Sequence, residues 1–255
     1  MDPIVVFHIP HSSTVIPPAE RECLSLSDAE LEKEVLRMTD WYTDALFRLK
    51  DPRCVSVHAP VSRLVLDPGW SPDNYPQVPV ALRARTNERK NRHDSPADEA
   101  RQALFSKYAL THHLRLTAAV ASNLAQQGHS LVVDCHSFPS RPLPDESDQN
   151  PDRPDICLGT DDFHTPAWLS EAAESFFSDA GFRVSVNRPF SGALVPKAYW
   201  KRDKRVSSIM IELNRHLYMD ESNGCKLPDF TGVSSRFEKI LKKIVDLYDR
   251  ESGTG

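Results

Sequence analysis

The stretch SLVVDCHSFPS, residues 130–140, carries an apolar run directly into a group of polar and titratable side chains. Residues 130–137 are predicted to form a strand, because apolar and β-branched residues dominate until a proline follows at position 139. His136 therefore comes at the end of a predicted buried strand. A histidine in that place is either a hydrogen-bonded core residue or part of a functional site.

Helical and strand patterns alternate on both sides of this strand. Apolar and β-branched runs predict further strands at 4–10, 53–60, 62–67, 155–160, 183–189 and 206–215. Apolar residues at helical spacing predict helices at 25–50, 96–128, 165–181 and 234–250. The alternation predicts an α/β fold, with helices on both faces of a mainly parallel sheet, in a single domain spanning residues 1–255.

The composition excludes several classes of function. The 255 residues carry a net charge of −5 and no long basic run, so we expect no nucleic-acid partner. No apolar stretch approaches the roughly 20 residues of a membrane helix, and the N-terminus lacks a signal-peptide pattern, so we expect a cytoplasmic protein without membrane contact. Five scattered cysteines without a C-x-x-C pair argue against a disulfide framework and a thiolate zinc site. The oligomeric state is left open.

Titratable residues follow four of the predicted strands. In open sheets of this class, ligands bind beyond the carboxyl ends of the strands, so these residues are expected to lie near one another. The residues in question are His11, Asp67, Asp134 with His136, and Glu212 with Arg215.

Two histidines and a carboxylate at strand ends are sufficient to build a catalytic zinc site. Such a site needs three nitrogen or oxygen ligands and an open fourth position, together with a separate general base. His11 and His136 are the candidate nitrogen ligands, although each alone could equally be a structural histidine.

Glu212 is flanked by apolar residues in IMIELNR and is predicted to be buried. Burial of a carboxylate is costly unless it is paired or functional. Glu212 is thus either the partner of Arg215 or Arg63 in a salt bridge, or a general base whose pKa is raised by desolvation.

Other hydrolase patterns are not found. Ser137 follows His136, but the G-x-S-x-G motif of a serine hydrolase is missing. Cys135 is the sequence neighbour of His136 on a strand, so the two side chains point to opposite faces and cannot form a catalytic pair.

Seven segments together resemble the N-formylglutamate amidohydrolase family, in its order and approximate spacing, from residue 4 to about 220. They are HIPHSSTVIP, MTDWYTDALF, VSRLVLD, VVDCHSFPS, PDICLGT, FSGALVP and IMIELNRHLYM. The resemblance implies a zinc-exopeptidase-like fold, a three-layer α/β/α arrangement with a mixed, mainly parallel sheet. It also implies a hydrolase that cleaves N-formyl-L-glutamate, a small-molecule N-acyl amino acid, to formate and L-glutamate in histidine degradation.

The resemblance also implies roles for individual residues. His11 and His136 match the motif histidines that would hold one divalent ion, expected to be Zn²⁺, with Asp40 as the favoured third ligand and Asp44 as its rival. Glu212 would be the general base.

Substrate contacts are expected from residues around the same strand ends. Arg63 would bind a carboxylate or polarise the scissile carbonyl, and Asp67 would orient Arg63 or a histidine. The loop 139–154 could cover the site. The further substrate-binding candidates are Ser137, Lys197 and Arg202.

The sequence DPGW at 67–70 departs from the D-L-N-R that is typical of the family. An Asn-Arg pair there would suit a carboxylate, so its absence leaves open another N-acyl amino acid or a related small amide as substrate. The basic segment NERKNRHD, 87–94, could replace it or could be a solvated charged run. Two alternatives remain: a non-catalytic binding protein for an amino-acid-like anion, and a metal-independent hydrolase.

Overall fold

The helices and strands come from a computed structural model that describes residues 2–68, 103–144 and 146–252. The strands are β1 Val5–Ile9, β2 Cys54–His58, β3 Ser130–Phe138, β4 Ile156–Gly159, β5 Val184–Val186 and β6 Val206–Asn214. The helices are α1 Pro18–Arg21, α2 Asp28–Met38, α3 Thr43–Leu46, a π-helical turn Phe105–Ala109, α4 Leu110–Gln127, α5 Ala167–Asp179, a 3₁₀ turn Arg215–Leu217 and α6 Phe230–Ser252.

The six strands form one sheet in the order β2-β1-β3-β6-β4-β5. The pairs β1–β2, β1–β3 and β3–β6 are parallel, whereas β4 runs antiparallel to β6 and parallel to β5. The predicted α/β fold with a mixed, mainly parallel sheet is therefore confirmed. All nine residues of β3 and of β6 are buried, as expected for central strands covered on both faces.

Helices cover both faces of the sheet. On one face, α3, α5 and α6 pack against the odd-numbered residues of β1, including Val5 and Phe7. On the other face, Leu116 and Val120 of α4 pack against Val6 and its neighbours. The sheet and its two helical layers form the predicted three layers.

The predicted helix 25–50 is wrong in one respect, because the structure divides it into α2 and α3. Its start is as predicted, with a capping box between Ser27 and Glu30. Thr39 then adopts an extended conformation, with ψ 136°, and the backbone N–H of Asp40 donates to the carbonyl of His11 at 3.0 Å. This break moves Asp40 away from the helix axis and towards the end of β1.

The predicted strand 62–67 is also wrong. These residues form a turn in which the N–H groups of Val65 and Leu66 both donate to the carbonyl of Ser62. The side chains of Val65 and Leu66 are nevertheless buried. The apolar run therefore reflects burial under a turn and not strand pairing.

The predicted helix 96–128 is described from residue 103 onwards, and it begins with the π-helical turn before continuing as α4. Gly128 ends α4 in the left-handed conformation, with φ 80°, as its position predicted. The segment 87–94 lies outside the described residues. Within the ranges that the structure describes, no helix is both long and apolar enough to span a bilayer.

Candidate active site

The carboxyl ends of β1, β3 and β6 bring three of the predicted residues to one edge of the sheet. His11 lies two residues beyond β1, and His136 is the third residue from the end of β3. Glu212 of β6 is the register partner of His136, so their side chains emerge side by side on the same face. The parallel pairing of β3 and β6 thus sets this part of the site.

Asp40 completes a group of three buried donors with the two histidines. Nδ1 of His11 and Nδ1 of His136 lie 3.2 Å apart. Oδ2 of Asp40 lies 3.2 Å from Nδ1 of His136 and 3.3 Å from Nδ1 of His11. The three atoms therefore surround one point.

A carboxylate faces the other ring nitrogen of each histidine. Nε2 of His11 lies 2.7 Å from Oδ1 of Asp67, and Nε2 of His136 lies 3.0 Å from Oδ1 of Asp134. Because an ionised carboxylate only accepts hydrogen bonds, both Nε2 atoms carry the ring proton. In the neutral rings, both Nδ1 atoms then present lone pairs towards Oδ2 of Asp40. Carboxylates that orient histidines in this way are typical of metal sites.

The electrostatics of the site require a cation among these donors. Burial lowers the pKa of His136, but the charges and hydrogen bonds of Asp134 and Asp40 outweigh it and raise this pKa well above the usual value. Burial would likewise raise the pKa of Asp67, but the charges of Arg63 and His11 lower it below the usual range. Either a proton or a metal ion satisfies the converging donors, and their chemistry fits a divalent metal of the zinc type.

The arginines hold the remaining carboxylate oxygens. Nη2 of Arg63 donates to Oδ2 of Asp67 at 2.7 Å. Nη2 of Arg215 donates to Oδ1 of Asp40 at 3.1 Å, which leaves Oδ2 for the histidines. Asp67 therefore contacts both Arg63 and His11, one through each carboxylate oxygen.

Glu212 differs from the other acids because its Oε2 is buried without a hydrogen-bond partner. Burial raises the pKa of Glu212 to about 7, with further contributions from Asp40 and Asp134 and opposition from His136. Its alternative role in a salt bridge is not found, since among the described residues Arg63 and Arg215 pair with aspartates instead. Oε2 of Glu212 is thus a protonatable atom without a hydrogen-bond partner among the residues that the structure describes.

The three converging donors, Glu212 and the two arginines line a cavity of about 460 Å³. The connection between β3 and β4 supplies one wall, through Pro139, Leu143, Glu146 and Ser147. Arg153 anchors that wall: it is 3% exposed, forms an ion pair with Glu146 and lies over the ring of Phe138. The loop 139–154 therefore borders the cavity.

Comparison with known proteins identifies the family of this chain. The family model described as N-formylglutamate amidohydrolase matches residues 4–219. The chain belongs to the N-formylglutamate amidohydrolase family. It is 25% identical over 231 residues, 85% of this chain and 82% of the relative, to an N-formylglutamate deformylase of Pseudomonas aeruginosa.

Two solved structures share the fold of this family member. The crystal structure of an N-formylglutamate amidohydrolase from Ralstonia eutropha matches with a TM-score of 0.81 and 21% identity, over 98% of this chain and 96% of that chain. A gene product from Agrobacterium tumefaciens matches with a TM-score of 0.66 and 20% identity, over 97% of this chain and 92% of that chain. At these identities, the likeness shows the fold alone.

Two substrate contacts predicted for this N-formylglutamate amidohydrolase family member are not brought to the cavity. Lys197 lines a separate pocket with residues of α4, and Arg202 is exposed. The physical reason is the turn that starts at Pro196, whose carbonyl accepts from the N–H groups of Tyr199 and Trp200. This turn directs the chain along α4 instead of across the strand ends.

The other predictions within the family motifs have mixed outcomes. Ser137 lines the cavity, but its Oγ accepts a hydrogen bond from Nε of Arg215 at 3.2 Å and so supports that arginine. Asp44, the rival ligand, is exposed in the first turn of α3 and is not part of the metal-binding group. The helix break therefore favours Asp40.

Sequence reasoning missed two histidines behind the site. His8 lies within the apolar run of β1, and its Nδ1 lies 2.7 Å from Oδ1 of Asp134. His112 lies on α4, with its Nε2 2.8 Å from Nε2 of His8. Their positions in the sequence could have indicated them. His8 lies on the same face of β1 as Val6, and His112 is the first buried residue of α4.

Proposed function

We propose that this protein hydrolyses the amide bond of N-formyl-L-glutamate or a related small N-acyl amino acid, using one divalent metal ion. His11, Asp40 and His136 would hold the ion, expected to be Zn²⁺. The observation that carries the proposal is that three converging donors share one cavity with Glu212, whose Oε2 has no hydrogen-bond partner in the described part of the chain. The names of the relatives support the reaction and the substrate class.

When bound, the ion supplies a Lewis acid beside the scissile carbonyl and lowers the pKa of a water molecule towards about 7. His11, Asp40 and His136 would hold such an ion through two nitrogen donors and one oxygen donor, the ligand types of catalytic zinc sites, and all three line the cavity.

Glu212 is the proposed general base. Its Oε2 accepts the proton of the attacking water and then delivers it to the leaving nitrogen, which departs as an amine. A pKa of about 7 suits both steps, because a group that must accept and later donate works best near the operating pH. The buried position of Glu212 limits competing contacts with bulk water.

Arg63 is the proposed partner of the substrate carboxylate or of the carbonyl oxygen. It lines the cavity, and its other contacts, with Asp67 and Asp40, fix its guanidinium at the edge of the metal group. Arg37 also lines the cavity and is a second candidate for an anionic substrate group. Ser137 remains a proposed substrate neighbour through its position on the cavity wall.

The wider setting is also part of the proposal. The family resemblance suggests a step of histidine degradation. A cytoplasmic location agrees with five cysteines that all remain free thiols.

The proposal is tested with purified protein, by metal analysis and by a hydrolysis screen over N-formyl, N-acetyl and N-succinyl amino acids. We expect about one zinc ion per chain after loading, formate release from N-formyl-L-glutamate or a close analogue, and loss of turnover in chelator. Ligand binding without metal or turnover would indicate a binding protein. Turnover that is insensitive to chelator would indicate a metal-independent hydrolase.

A further inference from the structure

A chain of hydrogen bonds leads from the proposed metal site along the covered face of the sheet to α4. Oδ1 of Asp134 contacts Nε2 of His136 at 3.0 Å and Nδ1 of His8 at 2.7 Å. Nε2 of His8 in turn contacts Nε2 of His112 at 2.8 Å. His8 is fully buried and His112 is 1% exposed. A water molecule from bulk solvent therefore does not compete with these contacts.

The proton positions along this chain are determined by its donors and acceptors. Oδ1 of Asp134 accepts from Nδ1–H of His8 and from Nε2–H of His136. A neutral His8 then has its lone pair on Nε2, and the short contact requires a proton on Nε2 of His112. Burial lowers the pKa of both His8 and His112, which keeps the two rings neutral. Each ring is thus held in one tautomer.

The fold builds this contact at an intersection of β1 and α4. His8 and Asp134 are register partners on adjacent parallel strands, so their side chains lie side by side on the face towards α4. His112 is the first of the buried residues in the stripe that continues with Leu116 and Val120. The π-helical turn immediately before α4 changes the helical phase just ahead of His112.

The carboxylate of Asp134 accepts hydrogen bonds from three different donors, so its orientation depends on all of them. Its Oδ2 accepts from the backbone N–H of Leu194 at 3.2 Å, and its Oδ1 is shared by His8 and His136. With His8 in the Nδ1–H tautomer, Oδ1 stays directed at the histidine pair. If His8 instead placed its proton on Nε2, its Nδ1 lone pair would face the carboxylate and repel it.

We propose that His112 and His8 are positioning residues for the metal site, with His112 fixing the tautomer of His8 and His8 holding Asp134 against His136. The outcome is that Asp134 keeps its contact with Nε2 of His136 and so holds the ring with its Nδ1 directed towards Asp40 and His11. The inference rests on the proposed function for the presence of the ion, whereas the tautomers are a property of the protein itself.

The test compares H112L, which removes the donor, with H112Q, whose side-chain amide can donate in place of Nε2–H. Zinc affinity is measured by competition with a chromophoric chelator. We expect H112L to bind zinc about 10- to 100-fold more weakly, the range found when such supporting partners are lost, and H112Q to recover most of the affinity. Unchanged zinc affinity in H112L would overturn the inference.

A matched control is H164L. His164 is also 1% exposed, with its Nδ1 2.7 Å from the carbonyl of Val206 and its Nε2 accepting from the N–H of Lys201 at 2.8 Å. This substitution removes a comparable buried imidazole far along the chain from the ligands. We expect thermal stability to fall in H164L while zinc affinity stays at the wild-type value. An equal loss of affinity in H164L and H112L would assign the effect to general destabilisation and overturn the inference.

Nitrogen-15 NMR of the histidine rings gives a readout that needs neither metal nor turnover. In metal-free wild-type protein, His8 is expected as the Nδ1–H tautomer and His112 as the Nε2–H tautomer, and His8 is expected to lose its single tautomer in H112L. The opposite tautomers would overturn the inference even if the enzyme is active. A wild-type protein that shows these tautomers and binds zinc but hydrolyses no amide would instead disprove the proposed function alone.

Discussion

Each aspartate of the site divides its two carboxylate oxygens between different partners. Asp40 turns one oxygen towards both histidines and the other towards Arg215. Asp67 uses one oxygen for His11 and the other for Arg63. In both residues, an arginine fixes the carboxylate so that the remaining oxygen is correctly aimed. The arginines therefore set the geometry of the carboxylates around the proposed metal site.

Replacement of Asp40 by asparagine is predicted to weaken zinc binding. The change removes the anionic ligand atom and leaves Arg215 and Arg63 facing a neutral side chain. We expect zinc content after dialysis to fall below one tenth of the wild-type value, measured by metal analysis. The matched control is D44N, because Asp44 is four residues away in sequence and exposed. Retention of zinc in D40N, or loss of zinc in D44N, would show that Asp40 is not the third ligand.

Replacement of Glu212 by glutamine is predicted to abolish most turnover while zinc stays bound. An amide cannot accept the proton of the attacking water, and general-base catalysis typically contributes about 10²- to 10⁴-fold. We expect kcat to fall by that factor, with zinc content unchanged by metal analysis. The control is E171Q on the exposed side of α5, which should keep wild-type kcat. Full activity of E212Q would remove Glu212 from the mechanism.

The positions of site residues at strand ends could be predicted from the sequence. The positions of the residues that contact the site only through another side chain could not. His11, His136 and Glu212 follow or end apolar runs, so the edge rule for α/β sheets was enough to bring them together. His8 lies inside such a run, and strand alternation gives its face but not its partner on a distant helix. Lys197 was predicted to contact the substrate but lies in another pocket. The turn at Pro196 that carries it there is formed by backbone hydrogen bonds, which the residue types of this segment do not predict.

A cluster of ion pairs fastens the beginning of β2 to α6. Arg53 donates to Asp51 at 2.7 Å, to Asp246 at 2.6 Å and to Asp249 at 2.8 Å. The side chain of Arg53 is 12% exposed and that of Asp51 is 7% exposed. Hydrogen bonds from Arg53 lower the pKa of Asp51 well below its usual value, against the opposing effect of burial. This cluster therefore stabilises the folded state in its ionised form.

The variant R53M is predicted to lose about 1–3 kcal/mol of unfolding free energy at pH 7. Asp51 would lose its closest side-chain partner and keep Lys242, whose Nζ lies 3.3 Å from Oδ2 of Asp51. A carboxyl whose pKa is depressed on folding contributes stability above its unfolded pKa of about 4, and this contribution disappears as the pH falls. The difference between wild type and R53M should therefore stay constant from pH 7 to about pH 5 and shrink progressively as the pH falls below about 4, measured by urea unfolding.

The control for this prediction is R205M. Arg205 pairs with Asp203 in an exposed position, with 63% of the arginine side chain accessible, so its loss should leave stability unchanged within error. A difference between wild type and R53M that grows as the pH falls would contradict the sign of the argument.

Helix and strand patterns predicted most elements, but two errors share one cause. The break between α2 and α3 and the turn at 62–67 both lie where the chain bends to reach the site. In both segments the local pattern records which side chains are buried. The backbone path is decided by tertiary hydrogen bonds from the N–H of Asp40 to the carbonyl of His11 and from the N–H of Ser62 to the carbonyl of Val15. Apolar content alone cannot distinguish a buried turn from a strand.

Zinc is predicted to stabilise the whole molecule, because its three ligands come from segments that are distant in sequence and meet only in the folded chain. A ligand that binds the folded state alone contributes about 2.7 kcal/mol when its concentration is 100 times its Kd. For a chain of this size we expect Tm to rise by about 5–10 °C, measured by calorimetry. Chelator should reverse the rise, and D40N should show little of it.

Magnesium serves as the control for this measurement. It prefers oxygen ligands and octahedral geometry, so it should leave Tm unchanged at the same concentration. An equal rise with both ions would indicate nonspecific binding to the acidic surface.

The reversed direction of β4 has a consequence for how proteins of this kind diversify. Because β4 is antiparallel to β6, the connection from β3 starts and finishes at the edge of the sheet that carries the cavity. Insertions or deletions in this connection change the cavity wall without shifting the register of any strand, and loops tolerate such changes well. The proposed ligands and base lie on β3, β6 and segments elsewhere. Changes in this one connection can therefore alter the shape of the cavity while the proposed metal ligands and base stay in place.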